Sequence, residues 1–461
     1  MSLLTNLLIG RSGLAAAQAG LNATSQNVAN ASVAGATRRV ALTSVADPLR
    51  DGPSWLGQGA SVDGIDRPSD RFLLGRRVQA QGDASRAATS WENLRSVERI
   101  FDASVGTTSK DALEAFFDSM TRATADPGDL SLRRGMVRAA QDLGAYVSRD
   151  ARVFQNTLAD QSRSIQASMP ELNELLTGVA ELNKAIAGSN TGTLTAGDIK
   201  DQRDRLLSSL ADLAGVQVDV DSRGVATVFI GGHAAVSGEN ARTVSFTTDP
   251  ATGQPQMRLS HSSDEVVDVT DGMGGKLGGM VDVWNTVNDL AADLDTFAAD
   301  LATTFNTQHA AGFDLNGNPG GDLFSFDPGS PALTLTVDPA LINDAALLAF
   351  GGTSPTLAGD IDNLRALMDL EDDVIVGGTR TASDWLTDLT SALGTQISRA
   401  EQVATSQDVL VADLEELHQN LHGIDLDEEA TNLLLYQTAY QAAARVIAAN
   451  DGLMASLMEL V

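Results

Sequence analysis

Residues 426–461 read LDEEATNLLLYQTAYQAAARVIAANDGLMASLMELV. Leu426, Leu433, Tyr440, Ile447, Met454 and Val461 recur every seven residues, with Tyr436 and Ala443 beside them. Such a repeat traces a narrow apolar stripe along a helix, and the stripe is buried only against another helix. At 1.5 Å per residue this helix is about 50 Å long. Asp425, Asp427, Glu428 and Glu429 stand at its start. Carboxylates suit the positive end of the helix dipole, which explains them better than catalysis does.

The opposite end of the chain carries the matching pattern. Leu7, Leu14, Leu21 and Val28 are seven apart, with Ala17 and Ala31 on the adjoining seam. This helix is about 40 Å long. Each stripe either packs on a body of its own or meets the other. The first twenty residues have no basic stretch ahead of the apolar run, and Gly10-Arg11-Ser12-Gly13 interrupts it. We therefore expect a retained helix and any export to proceed without a cleaved Sec signal.

Inward from the ends, the hydrophobic period changes twice. Residues 36–83 are punctuated by Gly52, Pro53, Gly57, Gly59, Gly64 and Pro68, which predicts an extended loop and linker region. Helical spacing follows through Trp91, Leu94 and Phe101, then Leu113, Phe116, Phe117 and Met120. A long stripe runs over Val137, Leu143, Val147, Phe154 and Leu158, and Pro170 is expected to kink or break its helix. From Val216, Val218 and Val220 the period is two, and turns at 221–224 and 249–253 separate strand-like runs up to the glycines of 272–279. Helical spacing resumes at Leu290, Leu294, Phe297, Leu301 and Phe305. Residues 313–380 are mixed, with a short strand expected at Leu333, Leu335 and Val337. A last long helix passes through Leu386, Leu393, Ile397, Leu410, Leu414 and Leu421.

The order is palindromic, which predicts a nested linear stack. The fold expected is mainly α with an inserted β-rich domain, its N- and C-terminal helices paired as a coiled coil. The expected units are a terminal coiled-coil domain (1–35 and 422–461), the linker (36–83), a helical-bundle domain (84–213 and 280–421) and the β-rich domain (214–279).

Composition narrows the function. The chain has 461 residues, 61 acids against 31 bases, no Cys and 4% aromatics. A net charge of −30 argues against a nucleic-acid partner and against an anionic membrane surface. No segment has the ~20 apolar residues a membrane span needs, so we expect no membrane insertion. Without Cys there are no disulfides and no thiolate chemistry.

A search for catalytic or cofactor constellations returns weak signals only. The histidines are His233, His261, His309, His418 and His422. His418 and His422 are four apart on a helix, but no third ligand supports a metal, and an exposed pair is the better reading. Asp314-Leu315-Asn316-Gly317-Asn318 begins like a calcium loop and fails where Pro319 replaces the turn glycine and Ser325 the bidentate glutamate. The run Gly272–Gly279 is not a phosphate loop, because Leu277 follows Lys276. No cofactor, metal or catalytic residue is assigned, and no enzyme activity is expected. Arg38/Arg39 and Arg67, Arg71, Arg76 and Arg77 stand out from the acidity; they either dock on acidic neighbours in an assembly or are solvated loop charges.

The terminal motifs resemble a known family. The run Leu14–Asn30, continuing through Val33-Ala34-Gly35-Ala36-Thr37-Arg38, resembles the shared start of the flagellar rod, hook and hook-associated proteins. Leu426–Leu433 and Tyr436–Ala442 resemble their shared C-terminus. Three interior stretches resemble the hook-associated protein 1 family, the first hook–filament junction proteins: Asp201-Gln202-Arg203-Asp204-Arg205-Leu206-Leu207, Gly275–Gly279 and Phe305–Gly317. The loop Arg67–Leu73 also fits. Ala36 departs from the aromatic usual there, and the β region is short for the family.

The resemblance implies a structural adaptor, secreted uncleaved through the flagellar type III pathway. Its copies would form a homo-oligomeric ring between the hook protein and the second hook-associated junction protein, after an export chaperone has held its C-terminal part. It implies that the terminal segments stay largely disordered until assembly. The expected assembly interface is Leu7, Leu14, Leu21, Val28, Leu426, Leu433, Tyr440, Ile447 and Met454. A rod or hook subunit, and a secreted coiled-coil effector or adhesin, are the alternatives.

Overall fold

A computed structural model of the chain describes residues 3–33, 35–51, 54–99, 106–188, 194–260, 266–353 and 359–459. Ala34, Gly52, Pro53, Phe101, His261 and Val461 lie outside the described residues.

Helix α1 (Leu3–Asn30) leads into an arm of two antiparallel ribbons. In the arm β1 (Val40–Val45) pairs with β4 (Ala60–Asp66), and β2 (Leu49–Asp51) with β3 (Ser54–Leu56). Helix α2 (Arg71–Glu98) follows. The extended region expected over 36–83 thus ends early. The Asp70 carboxylate accepts from the Phe72 and Leu73 amides and starts the helix there. Gly82 is a packing residue inside α2. A Cβ built on it would lie 2.8 Å from Cα of Gly215, so only glycine permits this approach.

Helix α3 (Ser109–Ala123) opens with a capping box between Thr108 and Asp111. Helix α4 (Leu130–Gly188) spans 59 residues and continues through Pro170 without the expected break. Ile165, Met169 and Leu172 flank the proline and are all buried in one core. Burial of about 2 kcal/mol per such side chain outweighs the ~3 kcal/mol that an interior proline costs.

Helix α5 (Leu194–Ala214) precedes seven strands: β5 (Gln217–Val220), β6 (Ala226–Ile230), β7 (His233–Ser237), β8 (Asn240–Ala241), β9 (Val244–Thr248), β10 (Pro255–Ser260) and β11 (Val266–Asp268). They form an antiparallel sheet in the order β5-β6-β7-β8 and a second in the order β11-β10-β9. Alternate residues of β6 and β10 are buried, as the period of two requires. Val228, Ile230, Val244, Met257 and Leu259 share one core with Leu172, Leu176 and Val179 of α4 and with Leu207 and Leu210 of α5.

Helix α6 (Gly275–Ala310) runs from that core into a second one. The second is aromatic: Phe116 lies 5.4 Å from Phe305 and 5.8 Å from Phe324, and Phe297 stacks on Trp385 at 4.7 Å between ring centroids. Residues after α6 form β12 (Phe324–Ser325), α7 (Pro331–Thr334), β13 (Thr336–Val337), α8 (Pro339–Asn343), a 3-10 turn (Ala345–Leu347) and α9 (Asp362–Asp369). Phe324, Val337, Phe350 and Leu364 of this stretch are buried with the helices. The strand expected at Leu333–Val337 shrinks to Thr336–Val337, paired with Phe324–Ser325. Pro331 occupies the first helical turn and draws Leu333 into α7.

Helix α10 (Ala382–His422) packs along α2, and α11 (Leu426–Glu459) returns along α1. The fold is therefore mainly α with a β-rich insertion, and its terminal helices pack together. No helix among the described residues is long and apolar enough to cross a membrane.

Candidate assembly interface

The α1–α11 pair is the feature the sequence singled out, and its geometry rests on small residues. Gly10, Ala17, Gly20, Ala23, Thr24 and Asn27 are buried on α1. Their spacing, with half-buried Gly13, follows the seven-residue repeat one step round the helix from the leucines. A Cβ at Gly10 would meet Ile447 at 3.0 Å, one at Gly13 would meet Ala443 at 3.7 Å, and one at Gly20 would collide with the Tyr436 ring.

This displaces the expected stripe. Leu7, Leu14 and Leu21 are half-buried beside the seam and Val28 is exposed. On α11, Leu433 and Ile447 are half-buried, whereas Leu426, Tyr440 and Met454 are exposed. Leu434 and Leu435, which periodicity did not select, are 62% and 59% exposed. The structure thus brings Ile447, Ala443 and Tyr436 onto α1 and leaves several large apolar side chains outside the pair.

A polar neck joins this pair to the body. The Asn27 amide donates to the Arg39 carbonyl at 2.9 Å and to Glu429 Oε1 at 3.0 Å, and its oxygen accepts from the Arg39 amide at 2.8 Å. Arg38 reaches Glu428 at 2.6 Å and Glu429 at 3.0 Å. Arg39 pairs with Asp198 at 2.8 Å and Asp201 at 2.7 Å on α5. Arg67 pairs with Asp201 at 2.8 Å and Asp204 at 2.6 Å, and Arg203 also meets Asp204. Burial alone would raise the Asp204 carboxyl, but the Arg203 and Arg67 guanidiniums outweigh it and hold it below the ordinary carboxylate range.

The arginines expected at an external contact or in solvent are thus largely engaged within the chain. Arg39 and Arg67 are buried, Arg77 pairs with Glu415, and Arg71 donates to the Val220 carbonyl. The acids at the start of α11 divide their work: Asp425 accepts from the Asp427 and Glu428 amides as a cap, while Glu428 and Glu429 bind the neck. Pairs separated by some 160 residues, such as Arg39–Asp201, leave no local pattern. Their one sequence signal is a cluster of arginines in an acidic chain.

The remaining candidates resolve as structural. His418 and His422 are half-buried rather than exposed, and among the described residues no group of three metal-ligating side chains is present. Asp314 accepts from the Asn316 and Asn318 amides at 2.8 Å, the hydrogen bonds of an Asx turn. His309 is buried, bridging the Gly321 carbonyl and the Ala349 amide.

The family model "Flagellar hook-associated protein FlgK helical domain" matches residues 94–324, half of the chain. The chain belongs to the flagellar hook-associated protein FlgK family. A second family model, "Flagellar basal body rod FlgEFG protein C-terminal", matches residues 422–460, which hold α11. Flagellar hook-associated protein 1 of Salmonella typhimurium is 25% identical, covering 97% of this chain and 98% of its own. Its Escherichia coli K12 counterpart is 25% identical over the whole of both chains, and that of Bacillus subtilis 24% over 96% of each. The E. coli alignment runs to 557 positions against 461 residues here, so that FlgK relative carries segments this chain lacks. The flagellar hook junction protein FlgK of Burkholderia pseudomallei shares the fold, with a TM-score of 0.65 at 16% identity over 76% of this chain and all of that one. The FlgK family match covers α3, α4, α5, the β-rich insertion and α6, all of which lie inside the terminal pair.

Proposed function

We propose that this chain is the structural adaptor between hook and filament, and that its copies close into a ring through the outer faces of α1 and α11. The observation that carries this is the apolar surface left outside the pair: Leu426, Leu434, Leu435, Leu453 and Met454 are each at least 50% exposed on a single helix. Large apolar side chains gathered on one helix in this way gain burial from another subunit. Leu7, Leu14, Leu21, Val28, Leu426, Leu433, Tyr440, Ile447 and Met454 form the assembly interface on this reading. The half-buried Leu7, Leu14, Leu21, Leu433 and Ile447 act within the chain as well, and the exposed Val28, Leu426, Tyr440 and Met454 between subunits.

The adaptor meets the hook protein on one side and the second hook-associated protein on the other. It is exported uncleaved to the extracellular flagellum, with an export chaperone on its C-terminal part, and it acts mechanically, without catalysis. Residues 1–35 and 422–461 are its assembly domain, and 36–70 the linker with its β arm. Residues 71–213 and 280–421 form the helical body, into which 214–279 insert. The rod-type C-terminal match alone would also suit a rod or hook subunit, but the helical-domain match over 94–324 supports the junction.

A deletion strain tests the reading. Hooks without filaments, with monomeric filament protein in the medium, are expected. Normal filaments on that strain would refute it.

A further inference from the structure

The neck holds one feature that assembly does not explain. The last turn of α10 carries His418 and His422, whose ring centroids lie 5.3 Å apart. Both line a small cavity with Arg67, Asp70, Arg71, Arg203 and Asp204. Neither ring nitrogen of His422 has a hydrogen-bond partner among the described residues, although both are buried. The His422 carbonyl accepts from the Arg38 amide at 3.0 Å, so this turn is bonded directly to the linker that leads to α1.

The surroundings of the two rings disfavour a proton on balance. Arg67 faces them from the loop before α2, Arg71 and Arg77 from α2, and Arg203 from α5. The carboxylates within reach are already engaged. Glu415 of α10 binds Arg77 at 2.5 Å, Asp204 of α5 binds Arg67 and Arg203, and Asp70 caps α2. An imidazolium formed here would be largely desolvated beside guanidiniums; the Asp70 and Glu415 carboxylates favour it, but burial and the arginines outweigh them.

We propose that this neck is an acid-sensitive hinge: when His418 and His422 take up protons, the end of α10 undocks from α2 and α5, and the α1–α11 pair is released from the body. Burial first, then Arg77, push the His418 imidazole down to about 4; burial, then Arg67, lower that of His422 as well. The sign follows from the lowered values. The docked state is fully stabilised above the ordinary histidine range near 6.5 and loses that stability as the pH falls towards about 4. Within this window the opening constant rises about tenfold per pH unit for each imidazole that gains a proton on opening. The proposal does not depend on the assembly reading, because the hinge acts within one chain.

The chain lacks Cys, so a labelled pair is free of background. Spin labels at Asn420→Cys and Arg223→Cys, both exposed, report the distance from the end of α10 to the β5–β6 turn in the full chain. The expected result is one narrow distance at pH 8 and a growing longer component as the pH falls from ~6.5 to ~4, with helix content unchanged by circular dichroism. His418→Gln/His422→Gln should stay narrow in acid, and His422→Lys should be open already at pH 8. A narrow distance at every pH would overturn the proposal. So would a Gln/Gln variant that opens in the wild-type window, since other groups such as the buried His309 would then be responsible, or a loss of helix content in step with the distance. If the Gln/Gln variant does not fold, His422→Lys decides alone, because a closed neck in that variant contradicts the hinge.

Discussion

The ring of Tyr436 occupies the space that a side chain at Gly20 would need, so α1 and α11 approach through an aromatic knob set against bare backbone. This contact fixes the register of the pair, because Ala17 and Thr24, one turn to either side, present side chains there.

Gly20→Ala should therefore weaken the pairing, by roughly 1–3 kcal/mol of overpacking. Tyr436→Ala should weaken it by roughly 1–2 kcal/mol, since the ring is half-buried. The informative measurement is the double-mutant cycle. With the ring gone, the alanine at position 20 should cost almost nothing, giving a strong coupling between the two sites. Additive losses would mean that the two do not touch.

In the neck, Glu429 accepts from both Asn27 and Arg38. Glu429→Gln keeps an acceptor oxygen and should be tolerated, whereas Glu429→Ala leaves a buried amide unsatisfied at a cost of roughly 1–3 kcal/mol. Hydrogen exchange of the first turn of α11 should separate them, with faster exchange in the alanine variant only.

Asp201 is buried between Arg39 and Arg67. Asp201→Asn should destabilise the fold by about 3–5 kcal/mol, because two buried guanidiniums lose their shared counter-charge. Urea denaturation measures this directly. Asp204 adds a pH signature. Its carboxyl titrates below the ordinary range, so its contribution is complete above the unfolded value near 3.9 and is lost only as the pH falls through the lower folded value. Acid sensitivity between pH ~6.5 and ~4 therefore belongs to the histidines and not to this carboxylate.

The pairing of the two chain ends was legible because each carries an apolar seven-residue repeat. The face on which they pair was not. Hydropathy selects the largest apolar side chains, Leu7, Leu14 and Leu21, while the closest approach of two backbones selects the smallest, Gly10, Gly13 and Gly20. The start of α2 was misread because the glycines and prolines that mark the arm stop at Pro68, and the single cap residue Asp70 starts the helix directly after them. The neck was invisible for a different reason. Its partners, Arg39 with Asp201 and Asn27 with Glu429, come together only when the chain returns on itself. Its charges looked available for other molecules until the fold spent them internally.

Side chains inside and outside the α1–α11 pair serve different contacts. Leu434 and Leu435 are exposed and Leu433 is half-buried, so adjacent positions test separate roles. Leu434→Asp and Leu435→Asp should change the stability of the isolated chain by no more than about 0.5 kcal/mol, as surface substitutions do. Both should nevertheless block incorporation into the flagellum, because a carboxylate cannot be buried unpaired between subunits. Leu433→Asp, and Leu14→Asp on the other helix, should also block incorporation while leaving the body folded, but they should loosen the α1–α11 pair in the isolated chain as well. Complementation of a deletion strain, alongside hydrogen exchange of α11, reads both effects. If Leu434→Asp and Leu435→Asp restore filaments at the wild-type level, these exposed leucines face solvent in the assembled structure, and subunits must meet elsewhere.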